Sequence, residues 1–216
     1  VDEPVLILKT SQGNRSLSWD FLTPGSKSFE YQGKIYAGYK QSPLSWEKDT
    51  TPKPINWYAG KQYDDCFGAA HQVLDNFDKE FPQWKGRGYE IEGFAWWQGD
   101  KDRYVEAHAV RYEKNLVRLI KTLRKEFKAP KAKFVVATLG QTAKDAQPSN
   151  DKLILDAQLA VDGATGNYPE FKGNVSTVYT HPLSQGGASN SHYDGNAQTY
   201  MDVGVAMGEA MVELLK

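Results

Sequence analysis

A chain of 216 residues is long enough for one ordinary domain with a substantial core, and no second domain is needed to account for it. The formal net charge of -1 and an isoelectric point near 6.5 give no electrostatic reason to expect a nucleic acid or an anionic membrane as partner, so a neutral ligand is the default. Cys66 is the single cysteine, which rules out an internal disulfide and leaves the redox compartment open, and no apolar run approaches the length of a membrane span.

Pro4 to Thr10 reads as a buried strand, with Val5, Leu6, Ile7 and Leu8 running together as they do in parallel sheets, and it exits through the polar Ser11-Gln12-Gly13-Asn14-Arg15-Ser16. From Thr23 to Tyr58 glycine, proline, serine and aromatics follow without a sustained period, which predicts a long irregular insertion of about 23–58 that shapes a site or a lid. Tyr63, Phe67, Ala70, Val73, Leu74, Phe77 and Phe81 recur at helical spacing, and Pro82 marks a stop nearby. Cys66 sits in that helix as a small buried hydrophobe.

Ile91 to Trp97 is short, apolar and aromatic, and it ends abruptly at Gln98-Gly99-Asp100. This is a buried strand delivering polar groups at its C-terminal end. One long helix is expected after it, with Val105, Ala109, Tyr112, Leu116, Leu119, Ile120, Leu123 and Phe127 on one face and its end before Pro130. A strand at Phe134 to Thr138, a short helix around Leu153 to Ala160, a strand at Val175 to Thr180 and a last helix from about Asn196 complete the order. Strands and helices alternate throughout, which predicts a three-layer α/β domain with a parallel sheet.

In a parallel sheet the strand C-termini converge on one edge, which brings Gly13 and Asn14, Gln98-Gly99-Asp100 and the polar run Asn190-Ser191-His192-Tyr193-Asp194-Gly195-Asn196 together. A base, an acid that orients it, and donors for a tetrahedral oxyanion are what acyl transfer needs. His192 can be the base, Asp100 the acid, and the Gly13 N–H with the Gln98 amide the donors. Asn14, Arg15, Trp97 and Tyr193 are the candidates for holding substrate.

Each assignment has a structural rival. His192 can be a hydrogen-bonded residue leading into the last helix, Asp100 can cap the following helix in competition with Asp102, and Gln98 can satisfy backbone groups at the strand end. Trp96 and Trp97 point to opposite faces, so at most one lines the site. His71 and His108 read as structural, and His181 stays open between the two roles. A metal hydrolase could draw ligands from His181, His192, Asp100, Asp102 and Asp194, although no pair has a recognisable ligand spacing. A carbohydrate-binding protein without turnover could use Trp19, Trp46, Trp57 or Trp97 as stacking platforms.

These blocks carry a resemblance. Glu3 to Leu17, Gly93-Phe-Ala-Trp-Trp-Gln-Gly99, Arg111-Tyr-Glu-Lys-Asn-Leu116 and His192-Tyr-Asp-Gly-Asn-Ala-Gln-Thr-Tyr200 with Gly204 resemble the sialate O-acetylesterase-like carbohydrate esterases of the SGNH hydrolase superfamily, which are related to acetylxylan esterases. The resemblance implies a flavodoxin-like parallel sheet between helices, an acetylated carbohydrate as substrate, serine acyl transfer with no cofactor and no metal, and a secreted or periplasmic location. It gives Gly13 and Gln98 the oxyanion, His192 the base, and Asp100 the acid that related acetylxylan esterases take from the residue after Gln-Gly. Oligomeric state is left open.

Two departures shape the expectation. Many superfamily members carry an aspartate three residues before the histidine, where this chain has Ser189, so the acid role falls to Asp100. The Gly-Asp-Ser or Gly-Gln-Ser block that supplies the nucleophile is found nowhere in the 216 residues. The N-terminal match begins at the family's second strand, so the domain is expected to lack its first, central strand. The chain, which starts at Val1 without methionine, is then part of a longer protein or a form without hydrolase activity. Ser11 and Ser16 are hydroxyls near Gly13, best read as turn residues.

Overall fold

The computed structural model describes residues 4–216; Glu3, which opens the N-terminal block of the resemblance, lies outside the described residues. A parallel sheet of order β4-β5-β6 organises the molecule, formed by β4 (Gly93–Trp97), β5 (Lys133–Ala137) and β6 (Val175–Val178). Gly93 stands opposite Lys133 and Trp97 opposite Ala137, while Phe134 stands opposite Val175, so the three strand ends finish level at one edge. This parallel sheet carries helices on both faces, in keeping with an SGNH-like α/β fold.

Strand alternation sorts the two faces. Phe94, Trp96, Phe134 and Val136 join the main core with Tyr63 and Phe67 of α1 (Lys61–Asp75), Leu116, Leu119, Ile120 and Leu123 of α4 (Tyr112–Glu126), and Ile154 and Ala157 of α5 (Asn150–Ala160). Each fully buried Leu, Ile or Phe of this set contributes roughly 1.5–3 kcal/mol. The opposite face meets α6 (Ala197–Leu215), where a side chain at Gly93 would collide with Met211 and where Trp97 packs on Tyr200. Asn196 caps α6 by accepting from Thr199 N at 3.0 Å, and Ser149 caps α5 by accepting from Lys152 N at 3.2 Å.

Three expectations are corrected. Pro4 to Thr10 is not a buried strand: the segment pairs with no strand among the described residues, and Val5 and Ile7 are 73% and 82% exposed. A strand needs a neighbour, and the outer edge of β4 has no strand beside it among the described residues. The insertion of 23–58 is not wholly irregular, because β1 (Phe29–Tyr31), β2 (Lys34–Tyr36) and β3 (Ser45–Glu47) form an antiparallel sheet. Strands of three residues are too short for a period of two to register in sequence. The long helix expected from Val105 to Phe127 is broken into α3 (Glu106–Ala109) and α4, with Val110 and Arg111 between them. The first helix is likewise followed by a separate short turn, α2 (Phe77–Glu80). Among the described residues no helix is long and apolar enough to cross a membrane.

Candidate active site

The abrupt end of β4 is built on Gly99, whose φ of 147° is open to glycine alone and whose missing side chain leaves room for Ile154, 2.8 Å from where a Cβ would stand. The turn aims Gln98 back along the sheet edge. The single Tyr112 Oη–H is shared between the Gln98 backbone oxygen at 2.9 Å and Gln98 Oε1 at 3.0 Å, and Gln158 Nε2 donates to the same backbone oxygen at 2.7 Å. The two Gln98 amide protons go to Arg15 O at 2.9 Å and to Asp102 Oδ2 at 2.8 Å. Every polar atom of this side chain is therefore engaged.

Asp102 is the centre of the arrangement. It is fully buried, and besides Gln98 it accepts from Leu17 N at 2.7 Å and Ser18 N at 2.8 Å, one on each carboxylate oxygen. Burial pushes its carboxyl up from 3.8 to about 6, while the Gln98 amide and the two backbone N–H groups pull the other way. In the sequence Asp102 reads as a helix cap or as one ligand of a metal site, not as the buried partner of Gln98. Its position four residues after Gln98, with no other partner in reach for a buried loop, was the available signal.

Loop Arg15–Asp20 is held equally firmly. Ser16 N and Oγ donate to Asp20 Oδ2 at 2.8 and 3.0 Å, which confirms Ser16 as a turn residue, and Arg15 pairs with Asp20 at 3.6 Å while lying 4.3 Å over the Trp57 ring. Gly13 and Asn14, just before it, are exposed, with Asn14 in the left-handed region at φ 58°. Arg15 thus reaches the Gln98 corner by its backbone rather than by its guanidinium.

Asp100 receives Arg103 Nε at 2.9 Å and Ser189 Oγ at 2.6 Å. The second bond fastens the β4 turn to the loop of Ser189–Gly195, three residues before His192. His192 itself is exposed, and no hydrogen bond joins its ring to Asp100 among the described residues. It begins a run of three residues, His192, Tyr193 and Asp194, at φ 53°, 51° and 49°, where each non-glycine costs roughly 1–2 kcal/mol. Strain of this kind collects at functional loops.

Trp97 and Tyr193 are brought together, stacked with centroids 5.9 Å apart, and Tyr193 Oη accepts from Gly140 N at 3.2 Å. Trp96 points to the other face and meets Phe21 edge-on at 5.2 Å. The sugar platforms considered from sequence are largely taken: Trp19 is buried, Trp57 is covered by Arg15, and Trp97 by Tyr193. His181 donates Nδ1–H to the Gly140 carbonyl oxygen at 2.7 Å, which turns Nε2 away from that bond. His71 stacks on Phe127, and His108 is buried, held down to about 4 by desolvation. Among the described residues no group of three or more His, Cys, Asp or Glu side chains is gathered as metal ligands would be.

No curated protein matches the chain. A solved structure of an Arabidopsis thaliana protein is similar at 22% identity with a TM-score of 0.44, covering 66% of this chain and 51% of its own, so the chain spans about half the length of that relative. The family model described as carbohydrate esterase, sialic acid-specific acetylesterase, matches residues 42–213, a span that takes in the β4 turn, the Ser189–Gly195 loop and α6. The chain belongs to the sialic acid-specific acetylesterase family of carbohydrate esterases.

Proposed function

We propose that residues 1–216 form a single esterase-type domain that removes acetyl groups from carbohydrate by serine acyl transfer, with His192 as base. Asp100 is its acid partner, and Gly13 N–H with the Gln98 amide stabilises the oxyanion. The observation that carries this reading is the 2.6 Å bond from Ser189 Oγ to Asp100. It puts a carboxylate beside the position, three residues before the histidine, where a carboxylate is expected, although the chain has a serine there.

The serine oxygen attacks the acetyl carbonyl and its proton passes to His192 Nε2. The tetrahedral oxyanion is held by Gly13 N–H and by the Gln98 amide, which exchanges its bond to Arg15 O for the substrate. Collapse expels the sugar alkoxide, protonated by His192, and water repeats the sequence to release acetate. Asn14, Arg15, Trp97 and Tyr193 line the substrate side. Acetylated carbohydrates in general fit the family, and O-acetylated sialic acid is the specific candidate.

In this reading the nucleophile comes from a segment outside the 216 residues that adds a strand along the open edge of β4, the alternative being a form without hydrolase activity. The exposed Val5, Leu6, Ile7 and Leu8 support the added strand, because an apolar strand sequence left in solvent is what an absent neighbour leaves behind. A second reading gives the base role to His181, favoured by its Nδ1–H bond to the Gly140 carbonyl oxygen.

The test is acetate release from an O-acetylated sugar by the protein carrying an upstream Gly-x-Ser segment and by the 216-residue chain alone. The extended protein is expected to turn over and the shorter one not. Efficient hydrolysis of an aryl acetate by the short chain, unaffected by His192→Ala, defeats the proposal. Sugar binding by the extended protein without ester turnover favours a binding protein instead.

A further inference from the structure

Apart from Tyr112, which holds Gln98, the Arg111-Tyr-Glu-Lys-Asn-Leu116 block has no part in the acyl-transfer reading, yet it lines a built cavity. Arg111, Lys114, Asn115 and Arg118 fall at i, i+3, i+4 and i+7, one stripe about 10 Å long down the first two turns of α4. That stripe faces Lys27, Ser26, Phe29 and Ala37 of the insertion across a cavity of about 110 Å³, floored by the buried Ser18, Leu22 and Asn115. Four cationic side chains share this space and no carboxylate lines it. Among the described residues none of the four forms an ion pair, whereas ten pairs are made elsewhere on the molecule, so acidic partners are not scarce.

Local contacts leave donors to spare. The Arg111 guanidinium carbon lies 4.3 Å from the centre of the Phe29 ring, and its buried Nε has no hydrogen-bond partner. Arg118 makes one long bond, from Nη1 to Pro24 O at 3.5 Å. Burial and the neighbouring Arg118 both press Arg111 below the ordinary guanidinium range, the sign of cations crowded together without an anion.

We infer that this cavity between α4 and the β1–β3 insertion is an oxyanion site that takes a tetrahedral dianion, a sulfate or phosphate group. Four uncompensated cations suit a doubly charged group with oxygens in several directions better than a single planar carboxylate. The group comes either as a free inorganic ion or as a phosphate monoester on a saccharide, because a sulfate monoester carries a single charge. The site adjoins the Gln98 corner through Ser18, which lines the cavity and donates its N–H to Asp102.

The experiment uses the 216-residue chain and reads binding, not ester turnover, so it stands or falls separately from the catalytic proposal. Sodium sulfate and inorganic phosphate are titrated calorimetrically against sodium chloride of matched ionic strength. One saturable site is expected, weakened at least about tenfold in Arg111→Met/Arg118→Met and unchanged in Lys125→Met/Lys128→Met, which removes the same charge elsewhere on α4 and beyond it. A phosphorylated monosaccharide that binds more tightly than the inorganic ion identifies the ester as the source, and equal affinity identifies the free ion. Absence of saturable binding, equal loss in both double variants, or a uronate binding as well as sulfate overturns the inference.

Discussion

Ser189 donates a 2.6 Å hydrogen bond to Asp100, tying the C-terminal end of β4 to the loop that carries His192. If Asp100 orients and charge-stabilises His192, Asp100→Ala in the active, extended protein lowers kcat/KM by about 10²–10⁴-fold. Ser189→Asp placed on that variant restores a carboxylate to the same spot and recovers part of the loss. A double variant no better than Asp100→Ala removes Asp100 from the acid role.

Asp102 titrates against burial. Its folded value of about 6 lies above the ordinary 3.8, so the folded state binds the extra proton between these values and stability falls as pH rises through that window. The gap corresponds to roughly 3 kcal/mol. Urea unfolding from pH 4 to 7 is expected to show this component in the wild type and to lack it in Asp102→Asn. That variant is also less stable at pH 7 by about 1–3 kcal/mol, because its amide N–H₂ takes the place of one carboxylate oxygen and opposes either the Leu17 or the Ser18 N–H.

Tyr112 fixes the Gln98 amide by donating to its oxygen, while Asp102 holds the nitrogen end. Tyr112→Phe leaves a buried oxygen without its donor and lowers stability by about 1–3 kcal/mol in denaturant unfolding. In the extended protein it also raises the barrier to acetate release, read as a fall in kcat rather than a rise in KM, since the oxyanion donor loses its orientation.

The parallel sheet, α5 and α6 were legible because long apolar periods and caps such as Asn196 act locally. Clustering of the β4 turn with the Ser189 loop also followed from sequence, since parallel strands deliver their ends to one edge. Three things were not legible. The strand expected at Val5 to Leu8 failed because pairing is a property of neighbours, not of composition. The insertion's three-residue strands carry no periodic signal. Asp102 was read as a cap because its real partners, Leu17 and Ser18, lie 85 and 84 residues away.

Left-handed backbone at Asp194, φ 49°, offers a stabilising change. Asp194→Gly relieves a penalty of roughly 1–2 kcal/mol against an entropy cost of about 0.5–1 kcal/mol. The net gain is at most about 1.5 kcal/mol, so a rise of about 3–6 °C in thermal midpoint is the upper expectation for a chain of this size. A lower midpoint means that the Asp194 side chain contributes more than its backbone strain costs.

The central claim is that His192 is the base of an acyl-transfer esterase. Acetate release from O-acetylated sialic acid by the extended protein, measured for wild type, His192→Ala and His181→Ala at matched folded fraction, tests it most directly. The account predicts a loss of about 10²–10⁴-fold for His192→Ala with His181→Ala close to wild type. An unchanged rate in His192→Ala contradicts it, and loss confined to His181→Ala moves the base to the end of β6.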